Sequence, residues 1–251
     1  MNRRRIACGI FAFALFGFFG VAAKGEDIPL TETDAASVAR AGLAESTPTQ
    51  GLVAWWKMEE GSGMVLRDAS GNNHPAALTN GPMWTTGKGW GALSFDGRRS
   101  YVATDLDVQP QAMPESTWVF WVNPVRIRHS ERQHILSDDD GGNDRAVMIV
   151  SDTGKFGVAT GTDIRQPLAA TANEWQHIAV LFARDRVEFY RNGVRYVSNT
   201  APQGQETKKK LEMGRNPTFG RYFQGMLTDV RIYNRALSAD EIRAIYSAVN
   251  R

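Results

Sequence analysis

The chain has 251 residues, 42 % of them hydrophobic, with 29 basic and 27 acidic side chains and a formal charge of +2. Length and composition are those of a globular protein with one large domain or two small ones. Four basic residues (Arg3, Arg4, Arg5 and Lys24) and no acid fall within the first 25 positions, so 25 basic face 27 acidic residues beyond them. The remainder is mildly acidic, which excludes a basic footprint for nucleic acid.

A basic start, an uncharged run from Ile6 to Ala23 and the exit Ala23-Lys24-Gly25 predict a secretory signal peptide over residues 1–25. The run of 18 residues is also long enough for an uncleaved membrane anchor. Either way the rest is expected to be exported: secreted, periplasmic or on the cell surface, touching a membrane only if the leader stays. Cys8, the one cysteine, lies in that leader. The remainder therefore has no disulfide, and its stability is expected from core burial, which in a domain of this size hides roughly 70 % of the unfolded surface.

Residues 26–50 contain no aromatic side chain and are rich in Ala, Thr, Ser and acid, with a frayed helical stretch expected over 35–44. All seven tryptophans follow Gln50. This shift predicts a linker over 26–50 and one domain over 51–251.

From Gly51 the pattern is short strands between Gly, Asn, Asp and Pro turns. "LVAWWKM" opens it. "TWVFWVNP" is apolar almost throughout, as in a strand buried on both faces, and Pro124 ends it. "WQHIAVLFA" is a second such strand. "RVEFYRNGVRYVS" predicts a hairpin turning at Asn192-Gly193, a pair that readily takes positive φ. "GMLTDVRIY" is a late strand. At the end, Ser238 and Glu241 make a capping box for a helix whose apolar stripe is Ile242, Ile245, Tyr246 and Val249. No repeat of 20–50 residues is visible, which argues against a solenoid or propeller. Many strands and one terminal helix predict an all-β sandwich. Trp121 and Trp175 are expected to fill the gap between its sheets.

The segments "WWKMEEGSG", "LRDASGNNHPAAL", "GWGALSFDGRRSYV", "WVFWVNP", "EWQHIAVLF", "FYRNGVRY" and "MLTDVRIYNRALSADEIRAIY" occur in an order that resembles LamG-like jelly-roll domains of the concanavalin A-like lectin and glucanase superfamily. The resemblance spans residues 51–251 and is most specific at "DVRIYNRALSADEI". It implies a two-sheet antiparallel jelly-roll sandwich with a short C-terminal helix and neighbouring termini.

Three readings compete for "LRDASGNNHPAAL". In the first, Asp68, Ser70, Asn72 and Asn73 cap backbone groups of a long corner, with Gly71 left-handed. In the second, Asp68 and Asn73 hold a structural Ca²⁺ with Asp229, since carboxylates and amides are the hard ligands that this ion takes. The resemblance supports such a site, but it expects two acids where this chain has Thr228-Asp229. Alternating strand residues face opposite ways, so Asp229 is not a simple substitute for an acid at 228. The third reading is an active-site loop.

"LSDDDGGNDRAV" gathers acids without the helices or the twelfth-position Glu of an EF-hand. It reads as a solvated turn or as a ligand-facing loop presenting Asp138, Asp140 and Asn143. Trp84, Trp90 and Tyr222, with Phe223 beside it, lie near turn signals. There they either pack at an edge or stack on a sugar. "KKK" at 208–210 reads as a charged loop, and Arg231 as a cover for its sheet or the partner of a carboxylate.

Catalytic patterns are poor. No Glu-x-Asp-x-x-Glu run offers the two carboxylates of a retaining glucanase, and Glu188 has Arg186 and Tyr190 as same-face neighbours. Glu59 and Glu60 would face opposite ways in a strand. His74, His129, His134 and His177 lack zinc spacing, and no G-x-S-x-G occurs. The expectation is a non-catalytic exported module for a glycan or another extracellular ligand, without nucleic acid as a partner. The alternatives are an adhesive protein–protein module and, more weakly, a divergent glycoside hydrolase.

Overall fold

The computed structural model describes residues 47–249, apart from 88, 142, 143, 162 and 201–207. The expected leader, the linker up to residue 46, its helical stretch, Asn143 and the side chain of Val249 lie outside the described residues. The described strands and helix all lie within one compact unit.

In chain order the strands are β1 (Leu52–Trp56), β2 (Val65–Leu66), β3 (Ala76–Thr79), β4 (Met83–Gly87), β5 (Trp90–Asp96), β6 (Tyr101–Ala103), β7 (Ser116–Pro124) and β8 (Gln133–Ser137). They continue as β9 (Ala146–Ile149), β10 (Phe156–Thr160), β11 (Asp163–Arg165), β12 (Gln176–Phe182), β13 (Arg186–Arg191), β14 (Val194–Thr200), β15 (Glu212–Met213) and β16 (Gln224–Tyr233). Helix α1 (Ala239–Val249) follows.

Two antiparallel eight-stranded sheets result. The first runs β14-β13-β12-β7-β16-β5-β4, with β1 paired to β16, and the second runs β11-β10-β9-β8-β15-β6-β3-β2. The expected jelly-roll sandwich with one terminal helix is what the chain forms. Strand β1 lies on β16, with Trp56 opposite Val230, and Tyr233 donates its hydroxyl to the Pro48 carbonyl at 3.0 Å. The start of the domain is thus held beside its last strand.

Period-two alternation decides the core. Trp56, Trp118, Phe120, Val122, Val180 and Phe182 of the first sheet meet Val102, Leu136, Val147, Phe156 and Met213 of the second, all buried. The Trp118 and Phe182 rings lie 4.9 Å apart. Each such side chain withdrawn from water contributes roughly 1.5–3 kcal/mol.

The other face of β7 corrects the sequence expectation for Trp121. Trp121 is buried, but it points away from the core and packs on His177, stacks on Tyr246 of α1 and meets Trp90 edge-on. Residue 121 alternates with the core-facing 120 and 122, and the helix covers the side it takes. Trp175 is also not between the sheets. It is half-buried, precedes β12, and packs where a side chain on Gly87 would stand, too close to leave room for one.

Helix α1 forms where its cap predicts. The Ser238 hydroxyl accepts the Glu241 N–H at 3.2 Å, and Glu241 accepts the Ser238 N–H at 2.8 Å. Arg235 grips both Glu241 oxygens at 2.9 and 2.6 Å. Ile242 and Ile245 then bury against Val119, Ala179, Tyr190 and Tyr233. Between β13 and β14, Asn192 and Gly193 take φ of 52° and 75°, the primed turn of a two-residue hairpin.

Candidate functional site

The "LRDASGNNHPAAL" segment folds as a self-capped corner. Asp68 accepts the N–H of Trp55 at 2.9 Å, of Ser70 at 2.8 Å and of His74 at 3.0 Å, and the Ser70 hydroxyl at 2.8 Å. Burial works against the charge, but these donors outweigh it and hold the carboxyl below its usual range. Asn72 donates to the Leu52 and Val53 carbonyls, while Asn73 and Gly71 supply positive φ.

The structure brings Asp229 to the same neighbourhood through Trp55. The Trp55 indole N–H donates to Asp229 at 2.5 Å, and Arg231 holds both oxygens of Asp229 at 3.0 and 3.1 Å. Strict alternation does not govern Asp229, contrary to the expectation from sequence. The register against β7 slips between Thr228 and Arg231, and Asp229 has a φ of 51° within that bulge. Thr228 is buried, its hydroxyl within 3.0 Å of the Lys57 carbonyl and 2.7 Å of the Gly91 carbonyl. A cation joining Asp68 to Asp229 would compete with these N–H, O–H and guanidinium donors for the same lone pairs. Among the described residues, no group of three His, Cys, Asp or Glu side chains is placed to hold a metal. A cleft of about 390 Å³ opens beside the corner, lined by Lys57, Glu59, Glu60, Arg67, Asp68 and Ala69. Glu59 and Glu60 stand in this loop, outside any strand.

The acidic loop after β8 splits into a buried and an outer half. Asp138 is 0 % exposed, so it is not ligand-facing as the sequence suggested. It accepts the Arg145 N–H at 2.9 Å, and burial pushes its carboxyl well above the usual range, with Asp144 adding to the rise. Arg145 is also buried and sends its guanidinium to the carbonyls of Val108 at 2.9 Å, Met113 at 2.7 Å and Pro114 at 3.3 Å. Asp139 and Asp140 are half-buried at the rim. Asp139 accepts the side-chain amide of Asn216 at 2.7 Å, which ties this loop to the turn after β15.

That turn and two strands of the second sheet form the site. Val102 and Met213 face the core, so Tyr101 and Glu212 face outward from β6 and β15. Glu212 accepts two bonds from Arg215, at 2.5 and 2.9 Å. The guanidinium lies 3.4 Å from the centre of the Tyr101 ring. The Glu212 partnership raises the pKa of Arg215, which keeps it cationic. Beyond it, Asn216 caps the N–H groups of Thr218 and Phe219 at 2.9 and 2.8 Å and holds out a 52 % exposed Phe219. The result is a pair of Tyr101 and Arg215, with Phe219 and Tyr222 in the turn that follows and Asp139 joined to that turn through Asn216.

The sequence-predicted residues therefore separate. Tyr222 and Asp140 belong to this outer face. Trp84 and Trp90 belong to strands β4 and β5 of the other sheet, where Trp84 is part of the core edge and donates to the Gly63 carbonyl at 2.9 Å. Tyr101, Glu212, Arg215 and Phe219 escape sequence reasoning. The interleaving of Arg215, Phe219, Arg221 and Tyr222 in "GRNPTFGRYF" is the available signal. Glu188, the carboxylate weighed for catalysis, is engaged by Arg186 at 2.8 Å and the Tyr190 hydroxyl at 2.5 Å.

Comparison with known proteins agrees with this fold. Domain 4 of AbnA, a GH43 extracellular arabinanase from Geobacillus stearothermophilus solved with arabinotriose, superposes with a TM-score of 0.64 at 19 % identity, covering 78 % of this chain and 98 % of that one. The binding domain of botulinum neurotoxin DC, in complex with rat synaptotagmin II, gives 0.63 at 13 % identity, over 80 % of this chain and 52 % of that one. A Trypanosoma rangeli sialidase mutant displaying trans-sialidase activity gives 0.62 at 15 % identity, over 85 % of this chain and 38 % of that one. The chain thus spans about half of the toxin domain and well under half of the sialidase. No functionally curated protein matches it. The family profile Laminin_G_3 matches residues 96–243, from the end of β5 into α1. The chain belongs to the Laminin_G_3 family of the concanavalin A-like lectin/glucanases superfamily.

Proposed function

We propose that residues 51–251 form an exported, non-catalytic module that binds a glycan on the outer face of the second sheet. The observation that carries this reading is Arg215, fixed by both Glu212 oxygens and laid on the Tyr101 ring. Sugars are recognised by ring surface against their C–H faces and by oriented polar groups against their hydroxyls. Tyr222 and Phe219 supply the first, Arg215 and Asp140 the second. Because Arg215 is already held, binding it costs little further ordering. The arabinotriose on the arabinanase domain is the supporting parallel, export rests on the basic and apolar leader, and the reading needs no resident metal.

A second reading, a protein partner, draws on Met64, Val65 and Met83, which are 59 %, 52 % and 66 % exposed. Incubation of the protein without its first 25 residues on an array of diverse glycans separates the two. Retention on one glycan class supports the first reading. A blank array together with a defined protein partner in crosslinking moves the assignment to the second, and product release from a polysaccharide would replace both with a hydrolase.

A further inference from the structure

The central cation of the outer face is already matched to an acid of the same chain. Arg215 and Glu212 are both half-buried, and Arg215 donates Nε to one Glu212 oxygen at 2.5 Å and Nη2 to the other at 2.9 Å. This two-pronged contact uses the side edge of the guanidinium, an edge on which a ligand carboxylate would make the same paired bonds. The Tyr101 ring covers one face of the group, with its centre 3.4 Å away. The Nη1 end stays outside the Glu212 clamp. Further acid lies alongside, because Asn216, the next residue in the chain, donates to Asp139 at 2.7 Å. The other cations of the region are engaged or screened. Lys210 holds Asp107 at 2.8 Å, and Arg221 lies 4.7 Å from the centre of the Phe219 ring. Lys208 and Lys209 are exposed, so water and salt screen them.

We infer that Glu212 sets the specificity of this face, selecting neutral glycans and rejecting those that carry carboxylate or sulfate groups. An acidic sugar at the Nη1 end would place a second anion on a cation that Glu212 already neutralises. It would give up its hydration and gain little attraction in return. A neutral hydroxyl meets no such penalty, since it accepts a bond from the guanidinium and keeps a donor for a carboxylate oxygen. The resident carboxylate thus discriminates by repulsion as much as by attraction. The inference rests on the glycan reading proposed above and adds the class of sugar to it.

The protein and Glu212→Gln are compared on an array that carries neutral, uronate-bearing, sialylated and sulfated glycans. The protein is expected to retain neutral glycans only. In Glu212→Gln the preference for neutral over acidic glycans is expected to fall at least tenfold, because Arg215 is then free to pair with a ligand anion. An unchanged ratio in the variant overturns the inference. Retention of acidic glycans by the unmodified protein overturns it as well, while leaving the glycan reading in place. A blank array removes both. Should Glu212→Gln not fold, the salt dependence of the unmodified protein decides. Affinity for its array-selected glycan is expected to hold between about 50 and about 500 mM NaCl, a range that screens ionic contacts. A tenfold or greater loss over that range would show binding through an unbalanced charge and overturn the inference.

Discussion

Trp55 donates its indole N–H to Asp229 at 2.5 Å while its backbone N–H is held by Asp68 at 2.9 Å. One residue of the first strand thus links the opening corner to the bulge in the last strand. Arg231 lies 4.2 Å from the centre of the same indole and also pairs with Asp229. Asp68 and Asp229 have protein donors for their charges.

The first prediction concerns calcium at this corner. A ligand at 100 times its Kd adds about 2.7 kcal/mol of stability. For a domain of this size that is several degrees, at roughly 2–4 °C per kcal/mol. Because four donors already occupy Asp68 and Arg231 occupies Asp229, millimolar Ca²⁺ and a chelator are expected to give the same melting temperature. A chelator-sensitive rise of several degrees would show that the ion displaces those donors.

The docking of α1 gives the second. Trp121 is buried between β7, His177 and Tyr246. Trp121→Ala is expected to cost about 3–5 kcal/mol, as for other large-to-small changes at buried aromatic sites. Denaturant unfolding measures it. A cost below about 1 kcal/mol would mean that the helix does not rely on this ring.

The cap of α1 gives the third, with a defined pH dependence. Ser238→Ala is expected to cost about 0.5–2 kcal/mol. For Glu241, the bond from Arg235 is the main cause that lowers the carboxyl from 4.5 to about 2. A carboxyl depressed in the folded state stabilises above its unfolded value, and the contribution is lost as pH falls through the folded one. The melting-temperature gap between the protein and Glu241→Gln is therefore expected to be full above pH 4.5 and to close toward pH 2. A gap independent of pH across that range would separate the charge from the cap.

Legibility in the sequence follows the range of each interaction. The Asn192-Gly193 turn and the Ser238–Glu241 cap are legible because the chemistry lies within a few residues of itself. Apolar runs mark β7 and β12 as buried on both faces, but such runs carry no sign of which face is the core, so the expectation for Trp121 takes the wrong side. The bulge at Asp229 is hidden because its φ of 51° is fixed by partners distant in sequence, Trp55 among them. The binding face is only partly legible. Tyr222 and Asp140 stand out by residue type, whereas Tyr101 and Arg215 become a pair only when β6 and β15 align, with Met213 opposite Val102.

The outer face of the second sheet is tested most directly by measuring the affinity for an array-selected glycan of the protein, of Arg215→Ala and of Trp84→Ala, with folding of each confirmed by melting. Loss of an oriented charged contact is expected to weaken binding at least tenfold in Arg215→Ala, about 1.4 kcal/mol, and to leave Trp84→Ala unchanged because Trp84 lies on the other sheet. Undiminished binding by Arg215→Ala, with loss in Trp84→Ala, would contradict the account and move the site to the first sheet.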